Sequence, residues 1–261
     1  MKKYLEIFKI EWKHSLIYRS DVGLTAVLSI FSILLSYLLW QTIFNGRETF
    51  NGSTLAQMVT YYLFVNLMTP FTNTDGLLNT FAEEIRQGTY SKYLVRPISP
   101  LTYFITASYA QALFPFLITG SVLLTVFFSL NQYFEPIQLQ NLLLALPVLL
   151  LGSLLNILIS YIISLAAFKL TAISFLSVLQ STIKTFLSGS LIPLSLILPA
   201  VLIKWLPFSY TLYYPAALCL GKNEEPYSSV LFVLILWIAL LYCTARFLQH
   251  KVQHNFEGVG I

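Results

Sequence analysis

Residues 142–168 read LLLALPVLLLGSLLNILISYIISLAAF, a run without a single charged side chain. A bilayer core about 30 Å thick needs about 20 apolar residues in a helix to cross it. Backbone amides in lipid have no water partners, so such a run must satisfy its hydrogen bonds within a helix. A membrane barrel would alternate in short strands instead. The run is long and continuously apolar, and that reading spreads to its neighbours. Similar segments occupy about 22–44, 55–73, 102–130, 173–197 and 228–247. Composition agrees, because the chain is 57% hydrophobic and only 10% charged. A soluble domain is about 25% charged.

The expected fold is an all-α integral membrane protein, one domain over 1–261 with six spans. A basic amphipathic segment, Lys2 to Arg19, precedes the first span and repeats Leu5, Phe8, Trp12 and Leu16 at helical spacing. It reads either as an elbow helix in the headgroup plane or as a positive flank that orients the first span. Its charged stretch and the long span after it do not fit a cleaved leader. The stretch 170–203 is ambiguous: the span covers 173–197 or starts only after Lys184. A segment rich in proline and aromatics, 198–226, follows.

With the N-terminus inside, the inner segments hold Lys2, Lys3, Lys9, Lys13, Arg19, Arg86, Lys92, Arg96, Lys169, Arg246 and Lys251. The outer ones hold only Arg47, Lys204 and Lys222, and Lys184 is unassigned. That bias puts both termini in the cytoplasm. The net charge of +4 is spread over loops and gives topology rather than a nucleic-acid footprint. Cys219 and Cys243 lack metal-ligand spacing, and a disulfide between them is not expected.

Several chemistries leave no trace. No carboxylate or histidine sits mid-span, which argues against proton coupling. Neither HExxH, a nucleophile elbow, a metal cluster nor a phosphate-binding loop is present. Since folded domains need about 50 residues or more, none of the short loops between spans can hold an ATPase. The chain is therefore not expected to be an enzyme or to carry a cofactor.

Between the second and third spans, the loop 74–101 contains DGLLNTFAEEIRQG over 75–88. Leu77, Leu78, Phe81 and Ile85 make one apolar face, and Glu83, Glu84, Arg86 and Gln87 a mixed-charge face. Thr80 with Glu83 fits a capping box, Asp75 is the other N-cap candidate, and Gly88 suits the C-terminal stop. Pro97 and Pro100 break the chain before the next span. Periodicity alone reads as a short helix at the inner face, resting on lipid or docked on protein.

The run EEIRQGTYSKYLVRPISP, 83–100, resembles the cytoplasmic loop of bacterial type-2 ABC export permeases. It is most similar to a subgroup whose permeases occur in pairs with one ATPase. The basic entry MKKYLEIFKIEWKHSLIYRSD (1–21), the turn LSGSLIPL (187–194) and the segment LPFSYTLYYPAALCLG (206–221) agree in order and spacing. The ending FEGVGI (256–261) is similar too, although Ile261 departs from the usual small residue.

The resemblance implies a permease that moves a lipid, drug-like compound or peptide outward. It implies separate ABC ATPase subunits carrying ATP and magnesium. It also implies a second permease subunit, a paralogous partner before a second copy. Asp75, Leu77, Phe81, Glu83, Glu84, Arg86 and Gly88 would then couple the loop to the ATPase. The reading from a different class is a non-transporting membrane anchor or sensor that recruits a cytoplasmic partner.

Gly152, Asn156, Ser160 and Ser164 in the fourth span, and Ser177, Ser181, Thr185 and Gly189 in the fifth, recur every four residues. Small residues so spaced let helices approach closely in lipid, either in ordinary bundle packing or along an interface or polar path. Asn66 and Asn156 lie near mid-span, where an amide takes a partner on a neighbouring helix or contacts the cargo. Pro70, Pro115, Pro147 and Pro193 are candidates to kink their spans. Lys184 falls inside the fifth span on the longer reading, facing a hydrated cavity or snorkelling to the interface.

Overall fold

The computed structural model describes residues 2–95, 98–170, 173–223 and 225–254. The break expected at Pro97, the side assigned to Arg96 and the ending FEGVGI lie outside the described residues. The described residues form helices and turns, with one isolated bridge between Phe50 and Ser53.

Among the described residues, four helices are long and apolar enough to cross a membrane. They are α2 (Arg19–Phe44), α6 (Pro100–Ser129), α7 (Leu139–Leu165, extended by a 3-10 turn) and α11 (Tyr227–His254). Helix α3, Leu55–Thr72, is 18 residues long and largely enclosed, with Met58 through Val65 buried. Its start carries a reciprocal cap: Gln57 N donates to Thr54 Oγ1 (3.3 Å), and Thr54 N donates to Gln57 Oε1 (3.0 Å). The pillar is α7, which packs on α3, α4, α6, α10 and α11. Large apolar side chains cover the outside, among them Phe31, Leu35, Phe128, Leu143 and Phe232. Such a surface needs an apolar solvent.

Helix α1, Lys2–Ile17, lies along α6. Of its apolar stripe, Phe8 and Trp12 are half-buried, with Trp12 edge-on to Phe114 of α6 (6.1 Å), while Leu5 and Leu16 are exposed. Ile7 and Ser15 are buried beside them. Glu11 turns inward and accepts from Tyr103 Oη (2.7 Å) and Gln111 Nε2 (2.9 Å).

The expected fifth span over 173–197 is not one helix. Helix α8, Ser174–Leu187, has 14 residues, which at 1.5 Å per residue is about 21 Å, short of a bilayer core. It stops because Gly189 adopts φ +81, a left-handed turn that continues no helix. Pro193 therefore lies in the turn after α8 and kinks no span. Pro70, Pro115 and Pro147 do sit inside helices α3, α6 and α7. The chain then proceeds in short pieces, including α9 (Ala200–Trp205), a 3-10 turn (Pro207–Tyr210) and α10 (Tyr213–Cys219). The 3-10 turn and α10 lean on α7, α9 packs on α11, and the path ends where Lys222 Nζ donates to Gly52 O (2.8 Å) and Ser53 Oγ (2.9 Å). Segment 173–222 thus runs between the ends of the bundle as a broken path. Helix α4, Asp75–Arg86, and the short α5, Ser91–Val95, sit at the basic end beside the starts of α6 and α8.

Candidate functional site

Helix α4 is locked to the bundle through its apolar face. Leu78, Phe81, Ala82 and Ile85 are buried, and Leu77 is half-buried. Phe81 meets Phe104 edge-on (5.5 Å between ring centroids) and Tyr90 likewise (5.9 Å), with Tyr161 tilted at 5.6 Å. Such aromatic packing adds about 0.5–1.5 kcal/mol per pair beyond area burial. The face therefore lies against α6 and α7 of its own chain, not on lipid. Gly88 ends the helix at φ +73. The start differs from expectation: the helix begins at Asp75, and Thr80 lies inside it, donating to Gly76 O (2.9 Å). No capping box forms at Thr80.

The charged residues divide. Glu83 and Arg86 are exposed with Asn79, Thr80 and Gln87, forming the free face of α4. Glu84 turns back into the chain, where its carboxylate accepts from Lys92 Nζ and from Tyr93 Oη (2.9 Å). Burial pushes the Tyr93 phenol well above its ordinary range, so it remains a donor. Glu84 belongs to an internal clasp between α4 and α5 rather than to the free tip.

Beneath the start of α4 lies a buried polar joint. Asn156 Nδ2 on α7 donates to Thr72 O (2.9 Å) and Thr74 Oγ1 (3.2 Å). Thr74 and Ser160 hydroxyls are 2.6 Å apart, and Gln180 Nε2 on α8 donates to Ser160 Oγ (2.7 Å). Lys184 Nζ donates to Thr72 O (2.9 Å) and lies 3.7 Å from Asp75 Oδ1. Lys184 is buried here, its ammonium turned to the end of α3 and the start of α4. Its charge has two reasons to sit there. Thr72 ends α3, where backbone carbonyls lack helical partners, and Asp75 opens α4. Asp75 Oδ1, Asn156 Oδ1 and Gln180 Oε1 are buried without hydrogen-bond partners.

The expected residues thus converge only in part. Asp75, Asn156, Ser160 and Lys184 meet in this joint. Asn66 lies elsewhere, donating to Tyr62 O (2.8 Å) and Ser32 Oγ (3.2 Å) beside a cavity of about 450 Å³ between α2, α3 and α6. Ser181 bonds only within α8, to Val178 O (2.9 Å). Gly189 accepts from Tyr61 Oη at 2.7 Å, and Tyr62 Oη holds Leu191 O beside it. The α7 stripe is bundle packing in part: a Cβ on Gly152 would stand 1.9 Å from Tyr210 O. The spacing missed Thr74, Gln180, Lys92 and Tyr93. Ser177, Gln180 and Lys184, at steps of three and four, were a polar face on an otherwise apolar helix.

No curated protein matches the chain. A family model described as ABC-2 family transporter protein matches residues 30–260, nearly the whole length. A helical bundle with an apolar exterior and a helix docked at its basic end agrees with that match, and the chain belongs to the ABC-2 transporter family as a membrane subunit of an ABC transporter.

Proposed function

We propose that the chain is the permease subunit of an exporter and that a separate ATPase engages the free face of α4. The observation that carries this is the division of α4. Its apolar side is spent inside the chain, while Glu83, Arg86 and Gln87 project from the basic end. A helix fixed in this way passes a push to the bundle instead of yielding to it. On this reading the basic end faces the cytoplasm, and the segments α2, α3, α6, α7, 173–222 and α11 make six crossings. The cargo is hydrophobic or amphipathic, a lipid, drug-like compound or peptide, and a second permease subunit, paralogous to this one, completes the path.

The test is co-purification with the ATPase encoded beside the chain in its genome. Truncating a docked, desolvated charge costs about 2–5 kcal/mol, whereas exposed pairs contribute about 0–1. Arg86→Glu should weaken association at least about tenfold, equal to 1.4 kcal/mol, while the chain inserts normally. Normal association by both Arg86→Glu and Glu83→Lys would overturn the docking role of α4. A chain that recruits a cytoplasmic protein but transports nothing would favour the anchor reading.

A further inference from the structure

The joint beneath α4 contains more than packing requires. Lys184 is a buried cation between two acceptors on different elements, Thr72 O of α3 at 2.9 Å and the Asp75 carboxylate of α4 at 3.7 Å. It is hydrogen-bonded to the first and in ionic range of the second. The segment between those acceptors, Asn73 and Thr74, joins α3 to α4 without being helical. A small tilt of α4 about that link would close the Lys184–Asp75 gap and stretch the Thr72 bond. The buried oxygens of Asn156, Gln180 and Asp75 that accept no hydrogen bond leave acceptors to spare for such an exchange.

Helix α8 is built to carry the movement. Its inward face holds Ser177, Gln180 and Lys184, while Phe175, Val178, Ile183 and Phe186 on its other side are exposed. At its far end the chain turns at Gly189, whose carbonyl and that of Leu191 are held by the adjacent hydroxyls of Tyr61 and Tyr62. Lys184 stands in the last turn of α8, so the start of α4 is tied to the helix just before this turn against α3.

We infer that Lys184 is a positioning residue that ties α4 to α8, so that movement of α4 reaches the turn at 188–193. The role of the ATPase in driving α4 rests on the function proposed above. The tie itself does not.

Hydrogen exchange tests both. In the isolated chain, Lys184→Met, which keeps the unbranched stem and removes the ammonium, should speed exchange of the α4 amides about tenfold or more. Asp75→Asn should do the same, and the double variant should add little to either. In the assembled complex, ATP with vanadate should alter exchange at 188–193. That response should vanish in Lys184→Met, survive in Lys184→Arg, and vanish while ATPase association stays at the parent's level. Unchanged α4 exchange in Lys184→Met, or a surviving nucleotide response in that variant, overturns the inference. Failure of the parent chain to bind the ATPase overturns only the docking reading, because the isolated-chain measurement still decides the tie.

Discussion

Replacing Gly152 by alanine puts a methyl group where Tyr210 O would lie 1.9 Å away and Tyr210 C 2.7 Å. Both are backbone atoms, so no side chain can swing aside. Overpacking of this kind costs about 1–3 kcal/mol. Gly152→Ala should lower the melting temperature of the detergent-solubilised chain, and an unchanged melt would show that α7 and Tyr210 separate freely. Glu84 and Arg86 give a contrast two residues apart. Glu84→Gln should loosen the clasp with Lys92 and Tyr93 and make the 84–93 segment more sensitive to protease, whereas Arg86→Glu should leave that sensitivity alone. Equal effects would deny the division of α4 into an inner and a free charge. The sequence showed both residues as an outward charge run, because periodicity sets a helix face but not what a later segment brings to it. Tyr93 arrives after Gly88 has reversed the chain, and a single helix wheel does not contain it.

At the scale of elements, the fifth crossing is where expectation and structure part. Its composition is apolar enough for a span, but Gly189 at φ +81 ends α8. A Cβ there would meet Tyr61 Oη at 2.6 Å and Tyr213 Cβ at 3.0 Å. Gly189→Val should therefore destabilise the chain more than Ser181→Val, since Ser181 makes no bond beyond α8. Thermal melts of the two in the same detergent decide it. The turn sequence LSGSLIPL was legible as a turn; that it cuts the helix in half was not, because hydropathy averages across a glycine. The four-residue stripe Ser177, Ser181 and Thr185 was legible as a period, but the polar face Ser177, Gln180 and Lys184 was not. In water a polar face points outward, and here lipid surrounds the helix, so it points in. At α3, Thr54 and Gln57 form a capping box at the spacing the motif requires, a local polar signal that hydropathy averages away.

For the whole molecule, length and hydropathy were enough for an all-helical bundle, and the order of α2, α3, α6, α7 and α11 follows the expected spans closely. Burial was less legible. Helix α3 is the least apolar of these five and the most enclosed, since its tyrosines and Asn66 need protein partners rather than lipid. The proposed orientation predicts that single cysteines at Glu48 and Gln132, in a chain lacking Cys219 and Cys243, react with an impermeant reagent on intact cells. One at Gln87 should react only after the membrane is opened, and early labelling at Gln87 would invert the arrangement. The inward polar face of α8 has a consequence for how the chain is made. During synthesis α8 leaves the ribosome before α11 exists. It is too short to span, and its lysine would cost about 3 kcal/mol at the centre of a lipid-exposed helix. The insertion machinery should therefore not accept it as a span. Segment 173–222 should reach its place only after α3 and α7 offer Thr72 and Ser160 to it, and after α11 draws residue 222 across. A glycosylation acceptor engineered at 222 should remain unmodified in microsomes when translation stops at Pro226 and become modified in the full chain; modification of the truncated chain would mean that α8 inserts without help.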